Sequence, residues 1–182
     1  MADTRSAADI CFVVMPSQDP VVICDYDPDW SLHFAKLADR LAITLAGLVQ
    51  RIEHIGSTAV PGLAAKPIVD IDVVLETTAR LPEVIGRLEG IGYLHEGDLG
   101  ITGREAFRWP AVERRHHLYV LAQDAAELRR HLTFRDALRA DPALRDRYAA
   151  LKWSIAAKTP HDRASYTAQK STFITSIITH AD

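Results

Sequence analysis

The spacing of apolar residues divides the chain into a strand-rich part and a helix-rich part. Up to residue 122, short apolar runs bounded by glycine and proline are typical of strands. We predict strands at 21–24, 51–55, 67–75, 93–96, 104–109 and 116–122. One helix begins at Asp27-Pro28, a suitable N-cap and first helical residue, and a second covers 81–89. Pro61 and Gly62 indicate a loop or broken helical turn between the second and third strands.

The pattern changes at Gln123, after which helical spacing dominates. It predicts helices at 124–140, 142–157 and 161–180, separated by prolines. The apolar stripes of these helices need a partner, so we predict one α+β unit over 21–182, in which they pack on a small mixed sheet. The sheet part is then 21–122 and the helical part 123–182, with a separate helical bundle as the alternative. Residues 1–20 are expected to form a flexible leader, in which 10–15 could add a short strand.

Composition excludes several classes of protein. A length of 182 residues suits a single domain, and a net charge of −3 lacks the basic excess typical of general nucleic-acid binding. No apolar run approaches the length of a membrane span, and Asp3 and Asp9 precede a short apolar run where a signal peptide would be basic. Cys11 and Cys24 are expected to be buried free thiols. We therefore expect a cytoplasmic protein that binds neither nucleic acid nor membrane.

The candidate chemistry lies where a Gly-Ser turn faces a pair of aspartates. Gly56-Ser57 ends one predicted strand, and Asp70 and Asp72 lie two residues apart in the next. Side chains alternate along a strand, so both carboxylates point to one face and can hold a divalent cation such as Mg²⁺ or Mn²⁺. Gly56 permits a sharp turn, and Ser57 offers a hydroxyl and an N–H to a phosphate. The alternative is a tight turn beside a wet polar face.

Other polar residues are weaker candidates. Thr58 and Lys66 could contact anionic groups, and Glu53 and His54 must face opposite sides of their strand. His117 shares a strand face with Tyr119 and could contact phosphate or act as a general base. In the helical part, Tyr166 and Lys170 share a face and suit a base and a phosphate, and Arg135 and Lys152 add charge. Structural or solvated roles are the alternatives for each of these residues.

The segment HIGSTAVPGLAAKPIVDIDV, beginning at His54, resembles the signature of the GrpB family within the nucleotidyltransferase superfamily. The sequences YDPDW, HHLYV, FRDALRADP, YAALK and the final Y-x3-K resemble further landmarks of that family, so the resemblance extends from about Val21 to His180. It implies a nucleotidyltransferase-like α+β fold with a small mixed sheet and flanking helices. It also implies that Ser57, Asp70 and Asp72 match nucleotide- and metal-binding positions. His117, Tyr166 and Lys170 match recurring family positions.

The resemblance implies a Mg²⁺-bound nucleoside triphosphate and transfer of its nucleotidyl group to an unknown small-molecule or protein acceptor. Many relatives in the superfamily carry a third carboxylate on a later strand, where this chain has His117, with Glu105 as the possible substitute. A non-catalytic nucleotide- or coenzyme A-binding module, similar to the domain fused to dephospho-CoA kinase, is therefore the alternative. Transferases of the antibiotic-modifying or toxin–antitoxin type share the superfamily fold and rank last. The sequence leaves the oligomeric state open.

Overall fold

The computed structural model describes residues 21–159 and 161–179. The predicted leader 1–20, its strand at 10–15 and Cys11 lie outside these residues. Among them, five strands form one mixed sheet in the order β1-β2-β5-β4-β3. The strands are β1 (Arg51–Ile55), β2 (Val69–Leu75), β3 (Leu94–Gly97), β4 (Arg104–Arg108) and β5 (His116–Ala122). The central pair, β2 and β5, is parallel, and the other neighbouring strands are antiparallel.

Five α-helices of the described chain accompany the sheet. They are α1 (Asp29–Thr44), α2 (Leu81–Gly90), α3 (Ala126–Ala140), α4 (Pro142–Lys158) and α5 (Arg163–Ile178). The predicted start of α1 is one residue early, because the helix begins at Asp29 and Pro28 is its N-cap; the Asp27 carboxylate accepts a hydrogen bond from the N–H of Asp29. Asp141 and Asp162 are the N-caps of α4 and α5, and their side chains accept hydrogen bonds from backbone N–H groups of the first turns. The predicted α+β class, with a small mixed sheet and flanking helices, is confirmed.

The main hydrophobic core lies on one face of the sheet. Alternate residues of the central strands, such as Ile71, Val73 and Leu118, point to this face and pack against α1 and α2. Trp30 and Leu41 of α1 are completely buried in this cluster. The two N-terminal helices therefore leave the opposite face of the sheet to carry polar chemistry.

Helix α3 covers part of that opposite face. Leu128 of α3 packs with Val74 and Leu121 of the central strands. Arg135 donates to a Glu53 carboxylate oxygen at 2.7 Å and to a backbone carbonyl of β1 at 3.1 Å, and Arg139 donates to the Ala59 carbonyl. These contacts fix the helix over β1 and leave a cleft above the middle of the sheet.

The predicted strand at 21–24 is wrong as an extended element. It is reduced to a single antiparallel bridge between Cys24 and Ala65. Val21 and Ile23 instead pack their side chains against Ile155 and neighbouring residues of the C-terminal helices, and this contact replaces sheet pairing. The thiol of Cys24 is free and half-buried. Within 21–159 and 161–179, no helix has both the length and the apolar character needed to cross a membrane.

Candidate functional site

A cleft opens between the polar face of the sheet and helices α3 to α5. It has two connected lobes, which share Ser57, Asp70, Tyr119 and Lys170. The lysine lobe, with a volume of about 360 Å³, is also lined by Lys66, His117, Lys152 and Tyr166. The arginine lobe, with a volume of about 210 Å³, is also lined by Arg104, Arg130, His131, Phe134, Tyr148 and Ile174. Most of the predicted site residues therefore meet in one place.

The Gly-Ser turn and the first aspartate are fitted closely together. Gly56 has φ of 69° and ψ of −169°, a conformation that L-residues with a side chain rarely adopt. A Cβ atom at this position would lie 2.2 Å from Oδ2 of Asp70. Glycine is thus required both by the backbone and by the carboxylate packed against it. The turn delivers Ser57 into the cleft beside Asp70.

Asp70 and His117 form a pair on neighbouring parallel strands. They are direct partners in the register of β2 and β5, and Nδ1 of His117 lies 2.6 Å from Oδ1 of Asp70. When the ring donates Nδ1–H to the carboxylate, the other nitrogen, Nε2, is left to accept a proton. Both side chains line the lysine lobe. The strand register therefore places His117 and Tyr119, which alternation predicts to share a face, on the same face as the two aspartates.

Asp72 lies deeper than Asp70 and is 0% exposed. Its Oδ2 is 2.7 Å from Nδ1 of His131 on α3, and Nε2 of the same ring is 3.1 Å from Glu127. Burial alone would lower the pKa of His131, but its two carboxylate hydrogen bonds outweigh burial and raise the pKa to about 9. The hydrogen bond from His131 lowers the pKa of Glu127 to about 2. Burial raises the pKa of Asp72, which the hydrogen bond from His131 opposes.

The donor atoms fit a divalent cation only as part of a larger set. Among the described residues, no group of three or more His, Cys, Asp or Glu side chains could hold a metal ion. Two carboxylates are nevertheless enough for Mg²⁺ when substrate phosphates and water complete the coordination. Oδ1 of Asp72 is buried and has no hydrogen-bond partner among the described residues, and Asp70 lines the cleft. These unsatisfied and accessible oxygens are the atoms that would contact the ion.

Lys152 holds the Gly-Ser turn from the opposite side. It is 1% exposed, its Nζ lies 3.1 Å from Oγ of Ser57, and it also donates to the Ala64 carbonyl. Burial, followed by the nearby Lys170, lowers the pKa of Lys152 to about 7. Burial also lowers the pKa of Lys170. A negatively charged ligand beside these amines would therefore stabilise their protonated forms.

Tyr166 organises this lysine cluster. The ammonium groups of Lys66 and Lys170 lie 4.3 and 4.8 Å from its ring centroid. The Tyr166 side chain is 1% exposed, so its faces are occupied by protein atoms. The predicted stacking of this ring on a nucleotide base does not match this geometry, because two cations already contact the ring. Tyr166 instead positions the lysines.

Asp72 lines neither lobe, and three further candidates are also not brought into the cleft. The hydroxyl of Thr58 turns inward, 3.0 Å from Nε2 of His54, and Thr58 lines neither lobe. His54 stacks on Phe34 of α1, and burial lowers its pKa to about 4, so it belongs to the core. Glu105 as a third carboxylate is wrong: it pairs with Val120 on the opposite face and contacts His95 at 2.7 Å.

The structure adds residues that sequence reasoning missed or left without a role. Glu127 and His131 are four residues apart on α3, a helical spacing that could have indicated their pairing. Lys152 was predicted only as a charge, and its contact with Ser57 spans 95 residues. Arg104 reaches the cleft because β4 pairs with β5 in a register that no local pattern fixes. Arg130 lines the arginine lobe because α3 packs over the sheet.

Comparison with known proteins assigns the chain to a family. The chain matches the family described as GrpB protein over residues 20–180. A UPF0157 protein of Pseudomonas aeruginosa is 39% identical over 170 residues, which cover 90% of this chain and 68% of the relative. UPF0157 protein YqkA of Bacillus subtilis is 34% identical over 85% of this chain, but the match spans only 45% of YqkA. A dephospho-CoA kinase of Mycolicibacterium paratuberculosis is 26% identical over 83% of this chain and 43% of the kinase.

Solved structures agree with this placement. The crystal structure of conserved protein GrpB from Enterococcus faecalis superposes with a TM-score of 0.80 at 35% identity, covering 88% of this chain and 96% of that chain. The structure of Cid1 in complex with its short product ApU gives a TM-score of 0.51 at 12% identity, covering 70% of this chain and 41% of Cid1. At that identity the likeness concerns the fold alone. The chain belongs to the GrpB family and has a nucleotidyltransferase-like fold.

Proposed function

We propose that this protein binds a nucleoside triphosphate, as its Mg²⁺ complex, in the cleft. The observation that carries the proposal is the position of Asp70, whose carboxylate packs against the Gly56-Ser57 turn at the edge of the lysine cluster. The Asp70 carboxylate would contact the Mg²⁺ ion, whereas the Ser57 hydroxyl and the lysines would contact the phosphate oxygens. The cleft therefore offers negative groups to the metal and positive groups to the phosphates.

The charges of the lysine lobe support an anionic ligand. No described carboxylate forms an ion pair with Lys152, which is buried, or with Lys170, which is half-buried. Burying an ammonium group is costly unless a negative group accompanies it. The phosphates of a nucleotide would supply that charge and would raise the pKa of Lys152 from about 7. Binding near neutral pH would therefore take up protons.

Asp70 and Asp72 would hold the cation. The ion, when bound, would neutralise negative charge on the phosphates and on a leaving pyrophosphate. Asp70 lies at the surface of the cleft, whereas Oδ1 of Asp72 is the buried oxygen that needs a partner. His131 already holds the other oxygen of Asp72, which fixes the orientation of that carboxylate.

Nucleotidyl transfer is the reaction that this arrangement would serve. A hydroxyl or amine of the acceptor would attack the α-phosphorus, and pyrophosphate would leave as the new bond forms. The acceptor proton would pass to Nε2 of His117, since Nδ1–H of that ring is directed at Asp70. The acceptor would be a small molecule or another protein.

Calorimetry on the full-length chain tests the proposal. Replacing both Asp70→Asn and Asp72→Asn should abolish Mg²⁺-dependent binding of a non-hydrolysable ATP analogue, because the amide oxygens carry no charge. Asp146→Asn, an exposed position on α4, is the matched control and should bind like the wild type. Unchanged Mg²⁺-dependent binding in the double variant would refute the assigned metal ligands.

A binding module without turnover is the second candidate. One observation favours it: Asp72 is fully buried against His131. The family resemblance adds that His117 stands where many superfamily members carry a third carboxylate. The similarity to a dephospho-CoA kinase suggests coenzyme A or its precursor as the ligand in that case. Pyrophosphate release across several nucleotides and acceptors would favour the enzyme. Tight binding of dephospho-coenzyme A without pyrophosphate release would favour the module.

A further inference from the structure

Arg104 is a buried cation whose charge the described residues do not balance. The residue is 8% exposed, and its guanidinium lies over the Tyr119 ring, 4.4 Å from the ring centroid. One terminal nitrogen donates to the Asp98 carbonyl at 3.4 Å, a long hydrogen bond. Its Nε is buried and has no hydrogen-bond partner within 21–159 and 161–179. No ion pair joins Arg104 to a carboxylate in this part of the chain.

The acidic residues around Arg104 have other partners: the Asp98 carboxylate accepts a hydrogen bond from the N–H of Gly100 at 2.8 Å, and Asp70, which lines the same lobe, lies 2.6 Å from His117. Glu105, the next residue along β4, points to the opposite face and binds His95. Glu127 contacts both His131 and Arg130 on its own helix. An unpaired buried charge is strongly unfavourable, and an unmade hydrogen bond to a charged group adds to that cost. A feature of this kind at the wall of a cleft is best explained by a ligand that supplies the missing charge.

We propose that the arginine lobe is a second anion-binding site, which holds the carboxylate or phosphate group of a small molecule distinct from the nucleotide. Arg104 is the main contact; Arg130 and His131 also line the lobe, but their charges are paired with Glu127 and Asp72. Phe134 and Ile174 provide an apolar wall for the remainder of the molecule. The inference goes beyond the proposed function, because Arg104 needs a counter-ion whether or not a nucleotide binds.

The size and position of the lobe restrict the ligand. Its volume of about 210 Å³ corresponds to roughly seven water molecules, enough for a small organic acid or phosphate ester. The lobe meets the lysine lobe at Ser57 and Asp70, so the two ligands would lie side by side. If the protein transfers a nucleotidyl group, the molecule in this lobe is placed as an anionic acceptor.

Nuclear magnetic resonance of arginine side chains tests the site directly. The Nε–H signal of Arg104 is followed during separate titrations with inorganic phosphate and with acetate, which distinguish the two ligand chemistries. We expect a saturable shift of this signal with at least one probe. Arg104→Gln should weaken binding of that probe at this lobe by roughly tenfold or more, because it removes a charge-assisted contact. Arg108→Gln, on the same strand but paired with Glu96 outside the lobe, should leave the affinity unchanged.

The outcome that overturns the inference is equally specific. The Nε–H signal of Arg104 would stay fixed with both probes while backbone signals of the lysine lobe, such as that of Lys152, shift to saturation. Anions would then bind only beside Ser57. Because this measurement uses the wild-type protein, it remains decisive if Arg104→Gln fails to fold. Failure of nucleotide binding by calorimetry would instead refute the proposed function and leave the arginine site standing.

Discussion

Substituting Gly56→Ala should destabilise the protein more than any other glycine-to-alanine change in the described turns. The φ and ψ of Gly56 lie in a region that is essentially restricted to glycine, which costs an alanine about 1–3 kcal/mol. The added Cβ would also meet Oδ2 of Asp70 at 2.2 Å, and Cγ and Cβ of Asp70 at 3.0 and 3.1 Å. Forcing apart packed atoms of this kind costs about 1–3 kcal/mol more. We expect a total loss of about 4 kcal/mol in the free energy of unfolding.

Gly47→Ala is the matched control, because Gly47 has a similar φ of 77° and a Cβ added there would enter open space. It should lose only about 1 kcal/mol, from backbone strain alone. Urea denaturation measures both free energies. A double-mutant cycle with Asp70→Ala then isolates the clash: Gly56→Ala should cost less when the carboxylate is absent. Equal losses for Gly56→Ala and Gly47→Ala, with no coupling to Asp70, would refute the reasoning.

The contacts of the cleft lead to three further predictions. The contacts of protonated His131 with Asp72 and Glu127 raise its pKa to about 9 in the folded protein. These contacts stabilise the fold fully below the unfolded pKa of about 6.5, and their contribution to the free energy of unfolding is lost as pH rises through about 9. The difference in unfolding free energy between wild type and His131→Gln should thus shrink by at most about 3 kcal/mol over this range, and a constant difference would contradict the ion pairing. Lys152→Gln should weaken binding of the Mg²⁺–ATP analogue by roughly tenfold or more in calorimetry, whereas the exposed Lys158→Gln should not. Thr58→Val should lower the free energy of unfolding by about 1–3 kcal/mol without changing nucleotide affinity, because its hydroxyl bonds inside the protein; a lost affinity with intact stability would place Thr58 in the site.

The sequence was sufficient wherever the governing interactions are local. Alternation along β2 put Asp70 and Asp72 on one face, and alternation along β5 put His117 on the same face as Tyr119. The Gly-Ser turn was predicted from residue chemistry alone, and the proline and glycine positions separated the helices. These features depend on neighbours in the chain, so they can be inferred without the fold.

The remaining features depend on contacts between distant segments. The partner of the fully buried Asp72 is His131, which is 59 residues away in the sequence. The two lysines on the Tyr166 ring come from the loop before β2 and from α5, which changes a predicted stacking platform into a support for cations. Arg104 enters the cleft through the pairing of β4 with β5, and the bridge at Cys24 replaces a strand because the C-terminal helices compete for the same residues. No periodicity encodes any of these outcomes.

The parallel pairing of β2 with β5 has a consequence for when the candidate site forms during folding. Asp70 and His117 are 47 residues apart, and the intervening chain contains α2, β3 and β4. Such a distant pairing carries a loop-closure cost that local hairpins avoid, and it is expected to form late and slowly. Recovery of ligand binding during refolding should therefore lag behind the recovery of helical signal, so that the chain becomes functional only once its middle strands have joined.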